Sequence, residues 1–119
     1  MKIWKHGTYI DTWSLVHLLS GFVLGSLFYY LGFNLSWAFT YSLIVLMIWE
    51  VVEALIRVIE RPLNVVSDIV IGILGFSISA YLYFFLNTEF SLSFFFTILG
   101  IHIILAVLGF LDFLKRGFY

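Results

Sequence analysis

Residues 36–56 read SWAFTYSLIVLMIWEVVEALI, and residues 57–64 follow as RVIERPLN. The first stretch is as long as the hydrocarbon core of a bilayer requires of a helix, about 20 residues. Its only charges are Glu50 and Glu53, both in its last two turns. The second stretch is polar and holds Arg57, Glu60, Arg61 and the chain's single proline, Pro62. A membrane span that ends in a basic loop therefore decides the fold class. Working outward, three more apolar segments of similar length emerge, and the four spans fall at about 12–31, 36–56, 65–86 and 91–111. Gly32 and Asn34 separate the first two, and Asn87, Thr88 and Glu89 separate the last two.

Composition supports this reading. Of 119 residues, 63% are hydrophobic and 11% charged, against roughly 25% charged in a soluble domain. So few charges cannot solvate the surface of a small globule, and the bilayer must serve as solvent for most of it. Lys2 and Lys5 precede an apolar stretch, as in a signal peptide. That stretch is a full span long, contains His17 and lacks a small-residue cleavage pattern, so it is read as a retained first helix. With no cysteine, disulfides and thiolate chemistry are excluded. A net charge of −1 gives no basis for nucleic-acid binding.

Short connections favour an up-down-up-down four-helix bundle, all-α and a single transmembrane domain. Lys2, Lys5, Arg57, Arg61, Lys115 and Arg116 all fall on one side of such a bundle. The positive-inside rule then puts both termini and the central loop in the cytoplasm. Trp4, Tyr9, Trp13 and Tyr119 are expected at the inner interface, and Tyr29, Tyr30, Trp37, Tyr81 and Tyr83 at the outer one.

Ionisable groups inside a span are costly and point to function. Ser14, His17, Gly21 and Gly25 follow three- and four-residue steps and share a helix face. Glu50, Glu53 and Arg57 do the same in the second span, and Asp68, Gly72, Gly75 and Ser79 in the third. By helix rise, His17, Glu50, Glu53 and Asp68 lie one to two turns inside the cytoplasmic boundary, with Asp11 just outside it. The glycines at 21, 25, 72 and 75 are spaced for close helix packing, which would draw these groups into one pocket. Carboxylates so gathered in a low dielectric call for a cation or shared protons. The pocket residues are therefore Asp11, Ser14, His17, Glu50, Glu53, Arg57 and Asp68, and the metal-ligand candidates are His17, Glu50, Glu53 and Asp68. Such a pocket favours a divalent metal, a proton or a cationic lipid head group.

Local explanations compete with the pocket. Glu53 and Arg57 are spaced for an intrahelical ion pair. Asp68, near the start of its helix, can act as a cap. His17 can serve as an interhelical hydrogen-bonding residue, and the glycines as packing devices alone. Glu50, deeper in the span, fits these explanations least. His102 lies about 15 Å along its helix from Asp112, and so away from the acidic layer, where it is expected to bond a backbone carbonyl or to extend a proton path.

Three ordered stretches add a resemblance. They are Asp11-Thr-Trp-Ser-Leu-Val-His17-Leu-Leu-Ser-Gly21, Trp49-Glu50-Val-Val-Glu53, and Arg61 with Asp68, Gly72 and Gly75 at fixed spacing. Over residues 11–75 their order resembles the VanZ-like and YjdF-like small multi-pass membrane proteins. That family usually has a shorter gap between its aspartate and histidine, and Asn where Gly72 stands here. The resemblance implies a cell-envelope protein, in a group associated with teicoplanin resistance but without a settled chemistry. It singles out Asp11, His17, Glu50, Glu53, Asp68 and Gly75.

Three function classes follow. The first is an envelope membrane protein with a head-group or cation pocket. The second is an ion- or proton-coupled transporter or channel subunit working as a homo-oligomer. The third is a structural partner protein with no small-molecule site. A membrane hydrolase or transferase would use Glu50 or Glu53 as general base and His17 with Asp68 as metal ligands or acid, but the sequence holds no phosphate loop, nucleophile elbow or paired-histidine motif, so catalysis is the less favoured reading.

Overall fold

The computed structural model describes residues 12–55 and 62–116. Four helices account for nearly all of them: α1 (Thr12–Tyr30), α2 (Leu35–Leu55), α3 (Pro62–Ala80) and α4 (Leu92–Arg116). Each contains a window long and apolar enough to cross a membrane. The body measures 43 × 26 × 21 Å, and its long axis matches a bilayer with its interfacial regions, about 40–45 Å.

Helix ends are set by local chemistry. Gly32 takes φ +89°, and the Gly32 and Phe33 amides bond back to the carbonyls of Tyr29 and Phe28, at 3.0 Å each. This is the Schellman termination, which a residue without Cβ adopts freely. Two residues on, the Asn34 side chain accepts the Trp37 amide at 2.9 Å and caps α2. Ser91 does the same for α4 through the Phe94 amide, at 3.2 Å. Pro62 opens α3 at a position where its missing N–H costs nothing. Because Asn34 caps a helix that a bilayer already favours, Asn34→Ala should cost only about 1 kcal/mol, read as a small drop in thermal midpoint in detergent.

Beyond Ala80 the backbone widens into one π-helical turn, Tyr81–Phe85. Leu86 bonds the Tyr81 carbonyl, and Asn87, at φ 53°, ends the turn. The turn directs Tyr83 inward, where its ring stacks on Tyr29 with centroids 5.2 Å apart.

The centre of the molecule is the pair α1–α3, with α2 packed on both and α4 docked chiefly on α1. The faces spaced by threes and fours meet here. Ser14, His17, Gly21 and Gly25 on α1 are buried, as are Asp68, Gly72, Gly75 and Ser79 on α3. Contact is backbone to backbone: a Cβ on Gly21 would overlap the Gly72 carbonyl, and one on Gly75 the Leu18 carbonyl. Gly25 faces the Ser79 hydroxyl, and Gly72 has the Leu46 side chain against its other flank.

Outward faces are apolar. Ile44, Ile48 and Val51 of α2, and Ile104, Val107 and Leu111 of α4, are exposed. Such continuous apolar surface is stable only against lipid or another protein.

Two aromatic expectations need correcting. Trp13 is buried against Leu105 and Ala106 of α4, and Tyr83 lies inside the π-helical turn, so neither side chain is an interfacial anchor. Tyr30, Trp37 and Tyr81 are exposed.

Candidate metal centre

His17 stands in the second turn of α1, and its Nδ1 lies 2.7 Å from the carbonyl oxygen of Trp13, one turn back. A carbonyl can only accept, so Nδ1 carries the donating hydrogen and the ring orientation is fixed. Nε2 then points away from α1, toward α2 and α3. It meets Glu50 Oε1 at 3.4 Å, Glu53 Oε1 at 3.7 Å and Asp68 Oδ2 at 3.7 Å. The imidazole is buried, as are Glu53 and Asp68, while Glu50 is nearly so.

Sequence spacing explains the convergence. Glu50 and Glu53 sit one turn apart on one face of α2. Gly21 lies one turn beyond His17, and Gly72 one turn beyond Asp68. The close backbone approach of Gly21 and Gly72 therefore brings the His17 and Asp68 side chains together in the adjoining layer.

These separations are informative. A good N–H···O bond spans about 2.7–3.2 Å, and His17 Nε2 makes no hydrogen bond among the described residues. Metal–ligand bonds of about 2.1 Å at tetrahedral angles hold ligand atoms roughly 3.4 Å apart. One ligand atom each from His17, Glu50 and Asp68 lies within 4.8 Å of the others, so a small inward adjustment of the side chains brings the three round one ion. Anchoring the far ring nitrogen on a carbonyl is also the usual way a metal-binding histidine is oriented. One imidazole with several carboxylates suits zinc or manganese better than a soft-ligand metal.

Of the pocket residues expected from sequence, His17, Glu50, Glu53 and Asp68 converge, and Ser14 is buried on the same face of α1. Asp11 and Arg57 lie outside the described residues, and with them the Glu53–Arg57 pair. The capping alternative for Asp68 does not hold. The helix begins at Pro62, so Asp68 is in its second turn, past the amides that a cap serves.

His102 differs from expectation as well. Its Nε2 lies 2.7 Å from Ser20 Oγ, one turn along α1 from His17, rather than on a backbone carbonyl remote from the acidic layer. Ser20 donates its own hydrogen to the Val16 carbonyl at 2.8 Å, so His102 is the donor in this contact. Asp112, expected beyond the fourth span, is instead a buried residue inside α4. The only signal for the Ser20–His102 pair is that Ser20 follows His17 by three residues. Nothing in the sequence sets which face of α4 meets α1.

Comparison with family models, with curated proteins and with solved structures finds no match to this chain. The functional reading therefore rests on the geometry of the site.

Proposed function

We propose that this chain is a multi-pass membrane protein that holds a divalent metal ion in the inner layer of the membrane, through His17, Glu50 and Asp68 with Glu53 beside them. The observation that carries this reading is the placement of His17 Nε2, oriented by the Trp13 carbonyl and facing three carboxylate oxygens at 3.4–3.7 Å. In a buried site, carboxylates gathered round one imidazole repel one another unless positive charge, from a proton on Nε2 or from a bound cation, lies between them. A divalent ion supplies that charge, and one ligand atom each from His17, Glu50 and Asp68 is placed to meet it.

Metal analysis of the purified protein tests it. After chelation and dialysis against zinc or manganese, the wild type should retain about one ion per chain, and Glu50→Gln almost none. Equal metal content in the two proteins would remove the reading.

In this account the four spans alternate in direction, with both termini cytoplasmic, because all six basic residues then lie on one side. Reporter fusions at either end should read cytoplasmic, and a C-terminal fusion active outside the cytoplasm would refute the topology. Membership of the VanZ-like group and a place in the cell envelope are supported by the ordered motifs over residues 11–75.

A proton or ion path through the bundle has less support. Ser20 and His102 extend the polar layer by one turn, and beyond them the buried polar side chains among the described residues are hydroxyls, those of Ser26, Ser42, Ser79 and Tyr83, with no further buried carboxylate, imidazole or basic group.

A further inference from the structure

Zinc takes four ligands, and a site that only braces a fold fills all of them with protein groups. A site that acts on a ligand keeps one position for water or another small molecule. Three side chains on three helices form the donor set here: His17 on α1, Glu50 on α2 and Asp68 on α3. Among the described residues, no other histidine or carboxylate joins the group whose ligand atoms keep within 4.8 Å of one another.

Glu53 stands just outside that group. Its Oε1 is 3.7 Å from His17 Nε2, and it lies one turn along α2 from Glu50. Ligand atoms round a tetrahedral ion are about 3.4 Å apart, so a fourth ligand sits about as far from Nε2 as Glu53 Oε1 does. Both lie on the side of the ring that is turned to α2 and α3, which brings a small molecule on the ion within reach of Glu53. A carboxylate accepts hydrogen bonds at about four positions on its two oxygens, so this contact adds to whatever else Glu53 touches. It cannot donate. The favoured ligand therefore brings a hydrogen as well as an oxygen, as water, an alcohol or a hydroxamic acid does. A bare anion such as azide gains nothing from Glu53 and is repelled by it.

We propose that the ion held by His17, Glu50 and Asp68 keeps one coordination position for an exchangeable O–H ligand, with Glu53 accepting that ligand's hydrogen. The proposal deepens the metal reading and rests on it. Glu50, the least buried of the four side chains, marks where such a ligand enters.

The test loads the full chain in detergent with cobalt(II), which adopts the tetrahedral coordination of zinc and reports it in its visible bands. Cobalt content reads the metal site, and band shifts on adding acetohydroxamic acid or azide read the fourth position. Acetohydroxamic acid should shift the wild-type bands saturably, a result that needs no variant. Glu53→Leu, close in size but without an acceptor, should keep its cobalt and bind acetohydroxamic acid about tenfold more weakly or worse, as loss of a hydrogen bond to a charged group implies. Its azide affinity should be unchanged or higher. Glu53→Gln, which retains a carbonyl acceptor, should lose less. Wild-type bands that ignore acetohydroxamic acid would overturn the proposal, because a protein group then fills the fourth position. Loss of cobalt from Glu53→Gln as complete as from Glu50→Gln would overturn it too, by making Glu53 a ligand. So would equal weakening of azide and acetohydroxamic acid in Glu53→Leu, the mark of a general disturbance of the site. Each of these leaves the metal reading standing, whereas a wild type that takes up no cobalt, zinc or manganese removes both.

Discussion

Asp68→Asn should lower the affinity of the purified protein for zinc or manganese by at least about 100-fold, with the helical fold retained. Residues that only orient metal ligands cost about 10–100-fold when replaced, and Asp68 is assigned here as a ligand itself. The change keeps the side chain's size and adds hydrogen-bond donors, so packing between α1 and α3 is preserved. His17→Gln should act in the same direction, since it removes the one imidazole. A glutamine cannot recreate Nε2 held 3.4–3.7 Å from three carboxylates by the Trp13 carbonyl. Titration calorimetry in detergent, at constant pH, reads both. The sign with pH is also fixed, because the ligands bind in their deprotonated forms and protons compete with the metal. Affinity should fall as the medium is acidified. If the carboxylates served only to pair locally, neither substitution would change metal content, and both would show as a loss of thermal stability alone.

Gly21→Val should be the most damaging single substitution in the chain for the fold. Typical overpacking costs about 1–3 kcal/mol, because a side chain can usually move aside. At Gly21 the obstacle is backbone: the new Cβ meets the carbonyl of Gly72 and the amide of Phe76. Relief requires α1 and α3 to separate, so the cost should reach about 3 kcal/mol or more and remove metal binding as well, because His17 and Asp68 move apart together. Gly75→Val repeats the test from the other helix, against the Leu18 carbonyl. Gly100→Val is the control, since a Cβ there meets nothing within 4 Å. Thermal unfolding followed by far-UV circular dichroism in detergent ranks the three. Near-wild-type stability for Gly21→Val would mean that the α1–α3 contact is not the centre of the structure.

Much of this arrangement was legible in the residues because helical periodicity is simple. Steps of three and four put Ser14, His17, Gly21 and Gly25 on one line and Asp68, Gly72, Gly75 and Ser79 on another, and those two lines form the central contact. Small residues permit close backbones, and ionisable residues within a span are driven inward, so both signals point to the same faces. What periodicity does not fix is how a mostly apolar helix is rotated against its neighbour. α4 is apolar nearly all round, so its contact with α1 through His102 and Ser20 had no pattern to announce it. The burial of Trp13 under Leu105 and Ala106 follows from the same docking. The Asp68 capping alternative failed for a different reason. The span was expected to begin near residue 65, whereas Pro62, compatible with a first helical turn, starts the helix earlier and carries Asp68 into its second turn. The π-helical turn at Tyr81–Phe85 has no sequence signature in a run of aromatic residues, yet it decides that Tyr83 is enclosed.

The central claim is that His17, Glu50 and Asp68 bind one ion together. X-ray absorption at the metal edge, on wild-type protein in lipid nanodiscs loaded with zinc, tests this most directly. The account predicts about one zinc per chain, with nitrogen and oxygen ligands at about 2.0–2.2 Å, one imidazole signature, and loss of that signature in His17→Gln. A folded wild-type protein that binds no zinc or manganese, or binds it with an imidazole signature unchanged in His17→Gln, would contradict it.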